Sequence, residues 1–115
     1  MSKSDIYPQS AKRVKIIENT YDAASYTVTL AGGTSTTLAA LIGVAIPVNA
    51  MVTSVHNTGV VDVYYNPVGA ATVANSTISA GSVYPIIGRK KYQDTVQLYA
   101  TSDVVLSIII RSVEL

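Results

Sequence analysis

The chain has 115 residues, of which 49% are hydrophobic and 13% charged, with a formal net charge of +1, eight Tyr and no Cys, Trp or Phe. That length fits one domain, and a domain of this size buries roughly two-thirds of the surface its unfolded chain exposes, enough to hold a core without cross-links. The lack of Cys excludes disulfide frameworks, Cys-based zinc or iron–sulfur sites and thiol catalysis, and so small a net charge excludes affinity driven by phosphate neutralisation.

In chain order, Met1 to Ser10 is polar, holds Pro8 and has no apolar h-region of a secretory signal, so synthesis and retention in a cytoplasm are expected. Residues 1–11 read as an arm ahead of one domain over 12–115. Arg13-Val14-Lys15-Ile16-Ile17 reads as a first short strand. In Ser25-Tyr26-Thr27-Val28-Thr29-Leu30 the period is two, with Tyr26, Val28 and Leu30 on one face and small hydroxyls on the other. Gly32-Gly33-Thr34-Ser35-Thr36 has no Lys and no helix after it, so it reads as a flexible hairpin loop rather than a phosphate cradle. Leu38 to Ile46 reads as buried strand. Ala39-Ala40-Leu41-Ile42 could make one helical turn, but Gly43, the β-branched residues after it and Pro47 oppose extension, and no other helix is expected.

Met51-Val52-Thr53-Ser54-Val55-His56 and Val60-Val61-Asp62-Val63-Tyr64-Tyr65, joined by Asn57-Thr58-Gly59, have the pattern of a β-hairpin. Ala71 to Ile78 is a weaker strand, and Ser82-Val83-Tyr84 a short one that Pro85 confines to a sheet edge. A second hairpin is expected where Thr95 to Ala100 meets the final strand at Thr101-Ser102-Asp103. In that final strand Val104, Leu106, Ile108 and Ile110 share one face, while the other is also largely apolar up to Arg111, as suits a central or covered strand. Short strands at turn spacings of about 8–12 residues define an all-β chain, read as a single antiparallel β-sandwich of about eight strands, jelly-roll-like, with an extended N-terminal arm.

Charge is confined to the ends. The first 22 residues hold four basic and three acidic groups, residues 89–115 hold four and three, and Asp62 is the only charge in the 66 residues between Asp22 and Arg89. A β domain with a hydroxyl-rich solvent face explains this, and so does an assembly that hides its faces.

The chemistry-bearing residues are few. His56, Ser54 and Asp62 invite a triad reading, yet there is no nucleophile-elbow pattern of the Gly-x-Ser-x-Gly kind, and no enzyme is expected. One His and scattered Asp offer no metal-ligand spacing, and no cofactor is expected. Arg89-Lys90-Lys91-Tyr92 is the densest basic cluster, but no second basic strip accompanies it to track a nucleic-acid backbone. A solvated loop or an interface loop is the better account, and neither nucleic acid nor membrane is expected as a partner. The Tyr residues, each with buried area and a polar tip, keep a sugar- or receptor-binding module open as the alternative.

The run from Val52 through Asn57-Thr58-Gly59 to Asn66, then Ile78-Ser79-Ala80-Gly81-Ser82, then Asp94 to Ser102 and the closing apolar strand, resembles small β-sandwich or jelly-roll structural proteins of tailed-phage virions, a group that includes capsid cement (decoration) proteins and fibre-base domains. The resemblance covers Val52 to Leu115 and carries no catalytic residue over. It implies a virion protein, assembled in the bacterial host cytoplasm, that forms a homodimer or homotrimer and bridges subunits of the major capsid protein or another virion protein. On that reading Ile6, Tyr7 and Pro8 anchor the arm on a neighbouring subunit, and Lys12, Arg13, Lys15, Arg89, Lys90 and Lys91 meet acidic patches on the shell. A frayed terminus and a charged, solvated strand edge explain the same residues without a partner. The alternative is a receptor- or glycan-binding domain of a phage fibre or tail.

Overall fold

The computed structural model describes residues 21–113. The arm over 1–11 and the strand expected at Arg13–Ile17 lie outside the described residues. Among the described residues eight strands and two short helices follow one another: β1 (Tyr21–Leu30), β2 (Thr36–Thr37), α1 (Leu38–Ile42), β3 (Ala50–Asn57), β4 (Val63–Asn66), β5 (Ser76–Ile78), β6 (Val83–Ile87), α2 (Lys90–Gln93), β7 (Gln97–Tyr99) and β8 (Val104–Val113).

The strands form two antiparallel sheets of four, in the orders β1-β8-β3-β6 and β2-β7-β4-β5. First pairs with last, second with seventh, third with sixth and fourth with fifth. That is one long antiparallel hairpin rolled into two layers, the jelly roll. The expected all-β sandwich is therefore the fold observed. Its core lies between the layers and is lined by the inward period-two residues, among them Leu30, Val55, Ile86, Leu106, Ile108 and Ile110 from the first sheet and Val63, Ile78 and Leu98 from the second. β8 is central, as its apolar faces require, and β6 is an edge strand, as Pro85 requires.

Rolling the hairpin corrects two connections. β3 and β4 belong to different sheets, as do β7 and β8, so neither Asn57-Thr58-Gly59 nor Thr101-Ser102-Asp103 closes a hairpin. Each is an arch that carries the chain from one layer to the other. At the first, Asn57 is fully buried, and its Nδ2 donates to the carbonyls of Val61 (2.8 Å) and Ile78 (3.0 Å) while its Oδ1 accepts from the Gly59 N–H (3.1 Å). At the second, Asp103 Oδ1 accepts from the Gly32 N–H at 2.8 Å and the Gly33 N–H donates to the Ala100 carbonyl at 2.8 Å. The Gly32-Gly33 turn is thus an arch between β1 and β2 stacked on the β7–β8 arch, not a free loop. A Cβ on Gly32 would stand 2.4 Å from Ser102 Cα, so only Gly permits this approach.

Three further expectations change, the first being that a short helix, α2, stands at Lys90–Gln93 where none is expected. Leu38 to Ile46 is not a strand: Leu38–Ile42 is one helical turn, capped by Thr37, whose hydroxyl accepts from the Ala40 N–H at 3.2 Å, and ended by Gly43 in the left-handed region at φ 79°. Leu38 and Ile42, four apart, both face the core while Ala40 between them is exposed, which a period of two would not give. From Ala71 to Ile78 only Ser76–Ile78 is strand. Ahead of it Asn75 folds the chain into a turn, its Oδ1 accepting from the Thr72 N–H at 2.7 Å.

Candidate interaction surface

The outward residues of the first sheet form rows across all four strands. One row runs Val83, His56, Ser107, Thr27, the next Pro85, Ser54, Ile109, Ser25, and the third Ile87, Val52, Arg111, Ala23. Across these three rows Arg111 is the one Lys, Arg, Asp or Glu. Val83 and Ile87 on edge strand β6 are 60% and 69% exposed, and Val105 on β8 adds to the same face. Aliphatic side chains set among neutral hydroxyls, with one cation, make a face that loses little by leaving water, since few charges need desolvating.

At one end of this sheet the chain turns through Arg89-Lys90-Lys91. Arg89 precedes α2 in an extended conformation and makes no side-chain cap. Lys90 is held by Asp94 one helical turn on, Nζ to Oδ2 at 3.0 Å, in a half-exposed ion pair. Arg89 lies between two shallow depressions, one of about 350 Å³ with Val48, Asn49, Ala50, Met51 and Val113, the other of about 450 Å³ with Lys91, Tyr92 and Thr95. The structure thus brings Arg89 and Lys91 together over Tyr92 and ties Lys90 to an acid. Beneath them Gln93 is fully buried and anchors the turn, its Nε2 donating to the carbonyls of Ile86 (2.8 Å) and Gly88 (3.1 Å). Ile6, Tyr7, Pro8, Lys12, Arg13 and Lys15 lie outside the described residues.

The triad residues are not assembled. Ser54 and His56 share the outer face of β3, whereas Asp62 sits in the arch to the other sheet and its Oδ1 accepts from the Ala80 N–H at 3.2 Å. No hydrogen bond joins the three among the described residues. Nor, among those residues, do three His, Cys, Asp or Glu side chains gather as metal ligands, and no helix is long and apolar enough to cross a membrane.

One arrangement went unread in the sequence. Tyr65 of β4 and Tyr84 of β6 come from opposite sheets, with ring centroids 4.8 Å apart at 36° and their hydroxyls hydrogen-bonded. The bond to Tyr65, and burial after it, raise the Tyr84 phenol above its ordinary value. The only trace in the sequence is that each position shares its strand face with a buried residue two places away, Val63 before Tyr65 and Ile86 after Tyr84, while nothing in it sets the two strands opposite each other.

No protein-family model matches the chain, and no curated protein matches it. Among solved structures it is similar to a chain of Bacillus endospore appendages, described as forming a novel family of disulfide-linked pili, with a TM-score of 0.45 and 16% identity over 84% of this chain and 90% of that one.

Proposed function

We propose that the chain is a non-enzymatic structural protein that associates with its own copies and seats on a larger shell, in the manner of the capsid cement proteins of tailed phages that its sequence resembles. The observation that carries the reading is the outer face of the β1-β8-β3-β6 sheet, aliphatic and hydroxyl-bearing with Arg111 as its one charge. Specific interfaces bury about 800 Å² per partner, and a face of this kind supplies apolar area without a large cost for stripping water from ions. The jelly roll is compatible with the role, being a common architecture of viral shells, although it also serves lectins. On this reading Arg89 and Lys91 steer docking onto acidic shell patches, and Ile6, Tyr7 and Pro8 anchor the arm. Because such a protein binds the assembled shell and not its free subunits, it stabilises the shell by mass action.

Two measurements test the reading. Light scattering after size exclusion, over a dilution series, is expected to give a dimer or trimer. Co-sedimentation with phage heads stripped of accessory proteins is expected to retain the chain, and deleting Met1 to Ser10 to weaken retention while leaving the circular dichroism spectrum unchanged. A monomer at every concentration that never sediments with heads overturns the proposal. Retention unaffected by the deletion removes the arm from it.

A further inference from the structure

The tyrosine pair between the sheets has a chemistry of its own. Hydrogen-bonded hydroxyl oxygens lie about 2.7–2.8 Å apart, whereas the ring centroids of Tyr65 and Tyr84 are separated by 4.8 Å. The two rings therefore converge toward their oxygen ends, and the carbons ortho to the hydroxyls are the ring carbons next to those ends. In a phenoxyl radical those carbons share the unpaired spin with the oxygen, and the para carbon is blocked by the side chain itself. This is the one contact between aromatic rings among the described residues, and both residues are half-buried.

We propose that Tyr65 and Tyr84 form an oxidative cross-linking site, at which a one-electron oxidant of the peroxidase class joins the rings through an ortho carbon–carbon bond. Each phenol loses one electron and its hydroxyl proton. The two radicals couple, and each ortho hydrogen leaves as a proton while a proton returns to each oxygen, restoring two phenols. The chain loses two hydrogen atoms in all, and one hydrogen peroxide accepts the two electrons and two protons to become two waters. Holding the rings in contact favours this coupling over coupling between chains, since the reacting carbons meet without diffusion. The link would join β4 to β6, and so one layer to the other, in a sequence with no Cys to do so. Closing the loop between residues nineteen apart restricts the unfolded chain as a disulfide would. The inference is independent of the assembly reading.

The test treats the full chain, at high dilution, with a peroxidase and hydrogen peroxide. Expected are an intact mass lower by two hydrogens, dityrosine fluorescence, and a proteolytic product joining the peptides that contain Tyr65 and Tyr84. Tyr65→Phe and Tyr84→Phe should each abolish that product, while Tyr64→Phe, on the neighbouring position of β4, should leave it. Cross-links found only between chains, or mapped to the cross-strand pair Tyr64 and Tyr99, or persisting in Tyr84→Phe, overturn the proposal. Should a Phe variant fail to fold by circular dichroism, the peptide map of the unaltered chain decides alone.

Discussion

Tyr84 keeps its proton because its neutral phenol shares a hydrogen bond with the Tyr65 hydroxyl, and because burial disfavours the phenolate. An unfolded tyrosine ionises near pH 10, so above that value the unfolded chain has released a proton that the folded chain still holds. Stability from this contact is fully present below about pH 10 and is lost as pH rises through the raised folded value. Urea unfolding on either side of pH 10 should show the decline, and Tyr84→Phe should reduce its slope while costing about 1 kcal/mol at neutral pH, the worth of one hydrogen bond. Thr53 offers the opposite case, since its side chain faces the core and its Oγ1 is buried with no hydrogen-bond partner among the described residues. Thr53→Val keeps the shape and removes the orphaned hydroxyl, so the melting temperature should rise, by the equivalent of about 1 kcal/mol. A lower melting temperature would mean that the hydroxyl is satisfied after all.

At the scale of elements, the arches depend on side chains as much as on turns. Asn57 binds two carbonyls and one N–H, and the bond to Ile78 is buried, so Asn57→Ala should destabilise by about 3 kcal/mol, the upper end for leaving a buried polar group unpaired. Equilibrium denaturation checks this, and a loss below about 1 kcal/mol would make the arch a passive connection. The same residue shows where the sequence stops being readable. Alternation placed Val104, Leu106, Ile108 and Ile110 correctly in the core and β8 correctly at the sheet centre. That is because period two records which side is wet. It does not record which strand lies beside which, and an Asn-Thr-Gly turn between two alternating strands satisfies the hairpin pattern equally well when the chain is changing layers. Asn57 faces inward in phase with Thr53 and Val55, and a polar residue on the buried phase at a strand end is the signal that separates arch from hairpin. The register shift between Ala50 and Val52 hides that phase further back in β3. Leu38–Ile42 escaped because five residues are too few to display a helical period, leaving Thr37 and Gly43 as the only local marks.

The candidate surface exists only at the scale of the whole molecule. Val52, Ile109 and Ile87 are distant in sequence and meet because β8 and β3 are neighbours and β6 is their edge; no local pattern assembles them. The basic cluster was visible as a run, but its division into Arg89 and Lys91 over the Tyr92 depression and Lys90 in a pair with Asp94 required the helical turn. Neighbouring residues on β8 now separate folding from assembly. Ile108 is wholly buried between the sheets, so Ile108→Asp leaves an unpaired charge in the core and should prevent folding, seen as loss of the β circular dichroism signal. Ile109 is half-buried on the outer face, in register with Ser54 and Ser25, where an added carboxylate finds polar neighbours and water. Ile109→Asp should therefore fold, melt within about 1 kcal/mol of the parent chain, and lower the mass seen by light scattering, because two copies that meet through this face would each bury a like charge. If Ile109→Asp keeps the parent mass, association uses another surface. If Ile108→Asp folds, the side assigned to every residue of β8 is wrong and the outer face with it, so the single-residue shift between the two variants tests the architecture and the proposed role together.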